Sequence, residues 1–276
     1  MKLLIVGGNG MAGHMLVRYF RQLEAYNVFY TSRDPADEHA LLLDVTDTEQ
    51  VDRAVELVRP HIIINAVGLL NEDAARHPIK AYQVNSFLPH RLRQRADRIG
   101  ARVVHISTDC VFSGARGSYV ESDEPDGVSM YAVSKALGEL RHYPPHMTLR
   151  TSIIGPEIRP QGIGLLSWFM QQKGEVTGYK RVWWNGVTTL ELAKAIHYYL
   201  NTSCTGLIHL AYPTAINKHD LLVLFQHTFN KLDVTIVPNP SPVIDRTLAV
   251  SRLDTLYQMP DYAAMLKELE AWMRTP

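Results

Sequence analysis

The sequence has little of what marks the special classes of protein. It holds only two cysteines, Cys110 and Cys204, too few for a disulfide framework or a cysteine metal cluster, so a reducing compartment, the cytoplasm, is the expectation. There is no excess of charge of either sign. Lys plus Arg and Asp plus Glu each total 28, which removes the field that would draw nucleic acid or an anionic membrane to the chain. Long apolar runs are missing too: "MKLLIVGGNG" opens with four apolar residues after one lysine, too few for a signal-peptide core or a membrane span, and reads as a buried first strand. Internal repeats, low-complexity tracts and long blocks of like charge are also lacking. The 12 histidines show no HExxH spacing and no cluster, so surface or satisfied core positions are expected for them, and no metal. What remains is a chain of 276 residues, 46% hydrophobic, large enough to bury a substantial core and expected to meet a small molecule.

What is present is an alternation. The runs "KLLIV", "NVFYTS", "HIIINAVG", "ARVVHIST" and "MTLRTSIIG" are separated by helix-like stretches such as "MAGHMLVRYFRQL", "TEQVDRAVELVR" and "AYQVNSFLPHRLRQRADRIG". Short apolar strands between helices predict an α/β fold, a Rossmann-like doubly wound parallel sheet, over residues 1–155. From residue 156 the glycine- and proline-rich "GPEIRPQGIG" and "VPNPSPVIDR" weaken the pattern, so residues 156–276 are expected to form mainly a smaller C-terminal lobe. About 186–212 should return to the sheet: "TTLELAKAIHYYL" as a helix capped by Thr188, with Glu191 completing a capping box, then "TGLIHLA" as a strand. Near the end, Met265, Leu266, Leu269 and Trp272 share one helical stripe and read as core.

Several motifs fall at the ends of these strands. In "GGNGMAG", Gly8, Gly10 and Gly13 satisfy GxGxxG while Gly7, Gly10 and Gly13 satisfy GxxGxxG. Placed between a strand and a helix, the loop lets backbone N–H groups approach a pyrophosphate, which makes Gly7, Gly10, Met11 and Gly13 candidate cofactor contacts. The second strand ends in Ser32 and Arg33, where an arginine suits a 2′-phosphate, so NADPH is expected. The alternatives are Asp34 on the ribose, which would admit NADH, or Arg33 as a solvated loop charge. Asp44 and Val45 in "LLLDVTD" suit the adenine, unless Asp44 caps the following helix. "NAVG" ends a strand where a dinucleotide runs and offers Ala66, Val67 and Gly68. Within "YAVSK", Tyr131 and Lys135 lie one helical turn apart on one face, able to act on one bound molecule.

Read together, "GGNGMAG", "LDVTD", "NAVG", "VHISTDCVFSG", "YAVSK" and "WNGVTTLELAKAI" resemble the extended short-chain dehydrogenase/reductases, and most of all the dTDP-4-dehydrorhamnose reductase branch. The likeness covers the first 155 residues well and the rest more loosely. It implies that Tyr131 donates a proton to a carbonyl as hydride reaches the carbon, and that Lys135 lowers the tyrosine pKa and holds the nicotinamide ribose. Thr108 would give the same oxygen a second hydrogen bond. It implies substrate contacts at Thr108, Asp109, Val111 and Phe112, although Cys110 stands where the family usually has tyrosine. In the second lobe it points to Trp183, unless that ring is core, to Asn185, and to Arg246 on a diphosphate. The implied partner is a nucleotide sugar, a 4-keto-6-deoxyhexulose such as dTDP-4-dehydro-L-rhamnose. Family use of magnesium finds no matching ligand here, and "ESDEPD", Glu121 to Asp126, reads as a solvated loop.

Two rivals share these motifs. Nucleotide-sugar epimerases and dehydratases are one, although a dehydratase would place an acidic pair after the threonine, and here Asp109 is followed by Cys110. A non-catalytic binding module similar to the regulatory β subunit of methionine adenosyltransferase is the other. Family members often dimerise through the helices that would here span about 86–99 and 131–142, so a homodimer is expected, although "RLRQRADR" is not an apolar surface.

Overall fold

The computed structural model describes residues 1–158 and 162–275, so the middle of "GPEIRPQGIG" lies outside the described residues. Seven parallel strands make the central sheet, in the spatial order Gly206–His209, Met147–Thr151, Arg102–Thr108, Ile62–Asn65, Lys2–Val6, Asn27–Ser32 and Leu41–Leu42. The two central strands, Lys2–Val6 and Ile62–Asn65, are nearly continuous apolar runs because helices cover both faces. Leu3, Ile5 and Ile64 enter one core, while Leu4, Val6 and Ile63 enter the other, the two-residue period of a strand. The chain leaves Lys2–Val6 for a neighbour on one side and later returns on the other, so the carboxyl end of that strand is the topological switch point where such sheets bind ligands.

One face is covered by helices Met11–Arg21 and Thr189–Leu200 packed together, the other by Thr48–Val58 and Leu88–Ile99. The second pair is clamped by Asp52, whose carboxylate receives Arg91 Nε at 2.7 Å and also Arg95. Those hydrogen bonds, that from Arg95 foremost, hold the Asp52 pKa down to about 2. Arg93 bonds Asp97 at 2.9 Å and lies over the Tyr143 ring. Three of the four arginines of "RLRQRADR", Arg91, Arg93 and Arg95, are therefore engaged within the chain, while Arg98 is exposed.

Local structure departs from expectation in four places. The stretch "AYQVNSFLPHRLRQRADRIG", expected as one helix, is divided between the end of Pro78–Ala81, a π-helical Tyr82–Phe87 and Leu88–Ile99. The helix carrying Tyr131 is Met130–Leu137, stopping at Gly138, where a Cβ would lie 2.0 Å from the Asn85 carbonyl oxygen. Thr188 caps its helix by accepting from Glu191 N at 3.1 Å, but the Glu191 carboxylate accepts from Tyr257 instead of closing the box. The "ESDEPD" loop is solvated at Ser122, Glu124 and Asp126 but not at its first residue. Glu121 is buried and receives Ser251 N at 2.9 Å and His209 N at 3.3 Å, while Asp126 holds Ser113.

The second lobe pairs Gly174–Tyr179 with Val234–Asn239, and sets Val182–Trp184 between Ile216–Asn217 and Ile244–Asp245. The last helix, Tyr262–Arg274, capped by Asp261, sends Met265, Leu266 and Leu269 into the same core as Leu3, Ile5 and Phe20, with Trp272 at its edge. One apolar interior thus runs through both lobes.

Candidate active site at the carboxyl edge of the sheet

The glycine loop sits at the switch point. Thr31 fastens it: Gly7 N donates to Thr31 Oγ1 at 3.0 Å and Gly8 N to Thr31 O at 2.8 Å. Gly13 lets the helix approach the loop, since a Cβ there would be 2.0 Å from Gly7 O. Gly10 is different. A Cβ there meets protein only at ordinary distances, Gly7 O at 3.4 Å and Ala66 O at 3.9 Å, so the fold does not demand a glycine at that position. Gly10 is also the N-cap of Met11–Arg21 and gives its first turn no side-chain acceptor. The free N–H groups and the bare Cα form a cradle that a pyrophosphate fits.

At the adenosine end, Ser32 is buried and its Oγ accepts from Asn9 Nδ2 at 2.9 Å and Asp34 N at 3.0 Å, while Arg33 is exposed. Asp44 does not cap the next helix. That cap is Asp47, which accepts from Glu49 N and Gln50 N, whereas Asp44 closes a turn onto Thr46 N at 2.9 Å. Its carboxyl lies below the usual range chiefly through the Thr46 hydrogen bonds, with Lys80 and Arg33 adding to the effect. Val45 follows it, half-buried. Beyond Asn65, Val67 N donates to Asn65 Oδ1 at 3.2 Å, and Asn85 brackets Leu69 by receiving its N–H at 2.8 Å and donating to its carbonyl at 2.9 Å. Asn85 also bonds Ser134 Oγ at 3.0 Å, tying the Ala66–Gly68 loop to the helix of Tyr131.

The structure brings Thr108, Asp109, Tyr131 and Lys135 to this edge. Thr108 Oγ1 donates to Asp109 Oδ1 at 3.1 Å and accepts from Cys110 N at 3.1 Å. Burial pushes the Tyr131 phenol above its ordinary range, Cys110 reinforces this, and a hydrogen bond with Thr108 opposes it. The Lys135 Nζ turns to the sheet, donating to Ile106 O at 2.7 Å beside His105 Nε2 at 3.4 Å, and burial lowers its pKa to about 8. The phenol is thus a protonated donor at neutral pH. The Cys110 thiol is pushed up to about 12 by burial and stays a thiol.

Substrate-side residues divide. Arg246 reaches the site, with Nε on Phe112 O at 2.9 Å, and its charge acts on Asp109 and Cys110. Val111 and Phe112 do not offer side chains to a ligand: both are fully buried, Phe112 stacked on Tyr119 at 4.1 Å with Arg150 over its ring. Asn185 is an internal strut, donating to Tyr212 O at 3.0 Å and Leu248 O at 2.7 Å, which uses both amide hydrogens. Trp183 is 38% exposed. Its neighbour Trp184 points the opposite way into the core and carries the Lys218 ammonium 5.2 Å above its ring. Lys218, the first residue of helix Lys218–Thr228, faces Asp109 and Cys110, and burial lowers its pKa to about 8.

Sequence reasoning missed Thr31, Asn85, His105 and Lys218. Only His105 left a signal, as one polar residue inside the apolar strand "RVVHIS". Among the described residues no group of three or more His, Cys, Asp or Glu is placed to hold a metal ion.

A doubly wound sheet with a glycine cradle at its switch point and a tyrosine–lysine helix beside it defines a dinucleotide-binding protein of the short-chain dehydrogenase/reductase type. The model of the RmlD substrate binding domain matches residues 1–221, and the chain belongs to that family. The dTDP-4-dehydrorhamnose reductase of Burkholderia thailandensis is 36% identical over 142 residues, 51% of this chain and 45% of that protein. Methionine adenosyltransferase 2 subunit beta of Mus musculus is 30% identical over 142 residues, 50% of this chain and 41% of that protein. These matches span less than half the length of the relatives. A solved dTDP-4-dehydrorhamnose reductase from Bacillus anthracis, in complex with NADP, superposes with a TM-score of 0.83 at 23% identity, covering 100% of this chain and 99% of that one, a likeness of fold.

Proposed function

We propose that this chain is an NADPH-dependent reductase of the 4-keto group of a nucleotide-linked 6-deoxyhexulose, with dTDP-4-dehydro-L-rhamnose as first candidate, acting in the cytoplasm in the synthesis of a cell-surface polysaccharide. The observation that carries the reading is the convergence of Thr108 and a protonated, buried Tyr131 on the edge that holds the open Gly10 cradle. Bound there, NADPH supplies the hydride. Gly7, Gly10, Met11 and Gly13 would hold the pyrophosphate, and Ala66, Val67 and Gly68 would border it. Tyr131 gives its proton to the ketone oxygen, which Thr108 holds in place. Lys218 and Arg246, the two cations that act on Asp109, fit the substrate diphosphate. We assign Phe87, Val133 and Leu137, exposed on the helices Leu88–Ile99 and Met130–Leu137 or just before them, to a homodimer contact.

The test is NADPH absorbance in the presence of dTDP-4-dehydrorhamnose generated in place by the preceding enzymes. Tight NADPH binding without oxidation by that sugar or its UDP- and GDP-linked relatives moves the assignment to a binding module, the second reading, which the 30% identity to the adenosyltransferase subunit favours.

Two further outcomes are expected. Arg33→Ala should weaken NADPH binding by about 10- to 100-fold and NADH binding hardly at all, as measured by calorimetry. Equal losses would remove Arg33 as the 2′-phosphate reader. The second concerns pH. If the Lys135 ammonium resupplies Tyr131, the proton is present below its pKa of about 8 and lost above it. At saturating substrate, kcat for reduction should be level near neutrality and fall by about tenfold per pH unit beyond that point.

A further inference from the structure

Three buried side chains, Asn65, His105 and Lys135, form a line beneath the site. Val67 N–H occupies Asn65 Oδ1 at 3.2 Å, Asn65 Nδ2 lies 3.1 Å from His105 Nδ1, His105 Nε2 lies 3.4 Å from Lys135 Nζ, and Nζ donates to Ile106 O at 2.7 Å. Asn65 and His105 are fully buried cross-strand partners, and Lys135 is 3% exposed. The first bond fixes the rest. With its oxygen turned to Val67, Asn65 presents only N–H to the imidazole, so Nδ1 must be the acceptor. His105 is neutral, because burial first and the nearby Lys135 next drive its pKa well down. A neutral ring that accepts at Nδ1 carries its proton on Nε2. That N–H points at Lys135. Facing an ammonium it meets another donor, whereas facing a neutral amine it meets a lone pair.

We propose that His105 is a positioning residue that presets the protonation of Lys135, opposing the ammonium and receiving the amine that remains after Lys135 has passed a proton toward Tyr131. In that step an N–H bond of Nζ breaks and the phenolic O–H of Tyr131 is remade. The lone pair left on Nζ then accepts His105 Nε2–H. Other groups act on the pair: Glu139, just beyond the end of the helix Met130–Leu137, favours the ammonium, and His90 of Leu88–Ile99 disfavours a charge on His105. His90 itself bonds the Leu137 carbonyl at 2.9 Å. Asn85, the neighbour from the π-helical segment, is uncharged. The part played in turnover rests on the reductase reading, whereas the control of Lys135 by His105 stands apart from it.

The experiment is an NMR titration of protein with carbon-13 at lysine Cε, without substrate, the Lys135 signal being identified by its loss in Lys135→Met. The wild-type midpoint should lie near 8. His105→Phe, which keeps a ring but no donor, should raise it by about one unit or more, and His105→Gln, with an amide N–H near the place of Nε2, should restore it. Asn65→Asp keeps His105 and is informative if the phenylalanine variant does not fold. A carboxylate takes the proton of Nδ1, leaves a lone pair on Nε2, and should also raise the Lys135 midpoint. In the reductase assay the alkaline limb of kcat should move with the midpoint while KM stays unchanged. An identical Lys135 midpoint in wild type, His105→Phe and Asn65→Asp would overturn the proposal. Midpoints that move as expected in a protein that oxidises no NADPH sustain the pairing and reject the reductase reading instead.

Discussion

Replacing Tyr131 with phenylalanine is expected to cut turnover by about 10²- to 10⁴-fold, the usual worth of a general acid, while NADPH affinity changes by less than about twofold. The substitution removes one oxygen from a ring that is 9% exposed and packed with Ala74 and Ala81, so the helix Met130–Leu137 keeps its place. What goes is the phenolic hydroxyl at the edge where Thr108 and Asp109 also lie. Because burial keeps that phenol protonated, the loss should appear in kcat across the whole neutral range and not as a shift of a pH limb. Single-turnover rates with bound NADPH are the cleanest measure, and a wild-type rate in this variant would remove Tyr131 as the acid.

The glycine loop gives the second large effect, as a contrast between two substitutions of one methyl group each. Gly13→Ala drives Cβ to 2.0 Å from the Gly7 carbonyl oxygen and 2.8 Å from its carbon, both of them backbone atoms without freedom to turn away. The helix Met11–Arg21 must lift, at about 1–3 kcal/mol of stability, and the cradle opens, so a lower Tm and loss of NADPH binding should come together. Gly10→Ala meets nothing nearer than 3.4 Å and should leave Tm unchanged. Its methyl group occupies the ground a pyrophosphate needs, so NADPH affinity should still fall by about 100-fold or more. Calorimetry and thermal melts on both variants separate fold from ligand. Wild-type affinity in Gly10→Ala would mean that no phosphate lies against the loop.

How far the sequence foretold this arrangement depends on how far apart the partners lie. "KLLIV" and "NVFYTS" coincide with Lys2–Val6 and Asn27–Ser32, because alternating burial is written residue by residue, and the glycines and the Tyr131–Lys135 spacing are equally local. Glu121 looked solvated because its neighbours are acidic, yet its partner Ser251 is 130 positions away. Val111 and Phe112 are implied as ligand contacts by the family likeness of "STDCVFSG", but the chain turns at the short helix Asp109–Val111 and buries them against Tyr119 and Leu248. The same limit hid Lys218, whose relation to Asp109 exists only after the second lobe has folded back over the sheet. Asn185, taken for a donor to substrate, has its amide hydrogens on two carbonyls that no local pattern reveals.

The interior shared by Leu3, Ile5 and Phe20 with Met265, Leu266 and Leu269 bears on how the molecule is assembled. The first strand and the last helix complete one another, so a fragment ending near residue 155 would leave Met15, Leu16 and Phe20 without the surface of helix Thr189–Leu200 that covers them. Each buried side chain of that size loses roughly 1.5–3 kcal/mol when exposed, against a total stability of about 5–15 kcal/mol. The two lobes should therefore melt in a single calorimetric transition, and protease cleavage between them should yield no independently folded half. Evolution in such a chain cannot exchange one lobe as a cassette: a new substrate surface has to be carved into a body whose other half must go on folding around it.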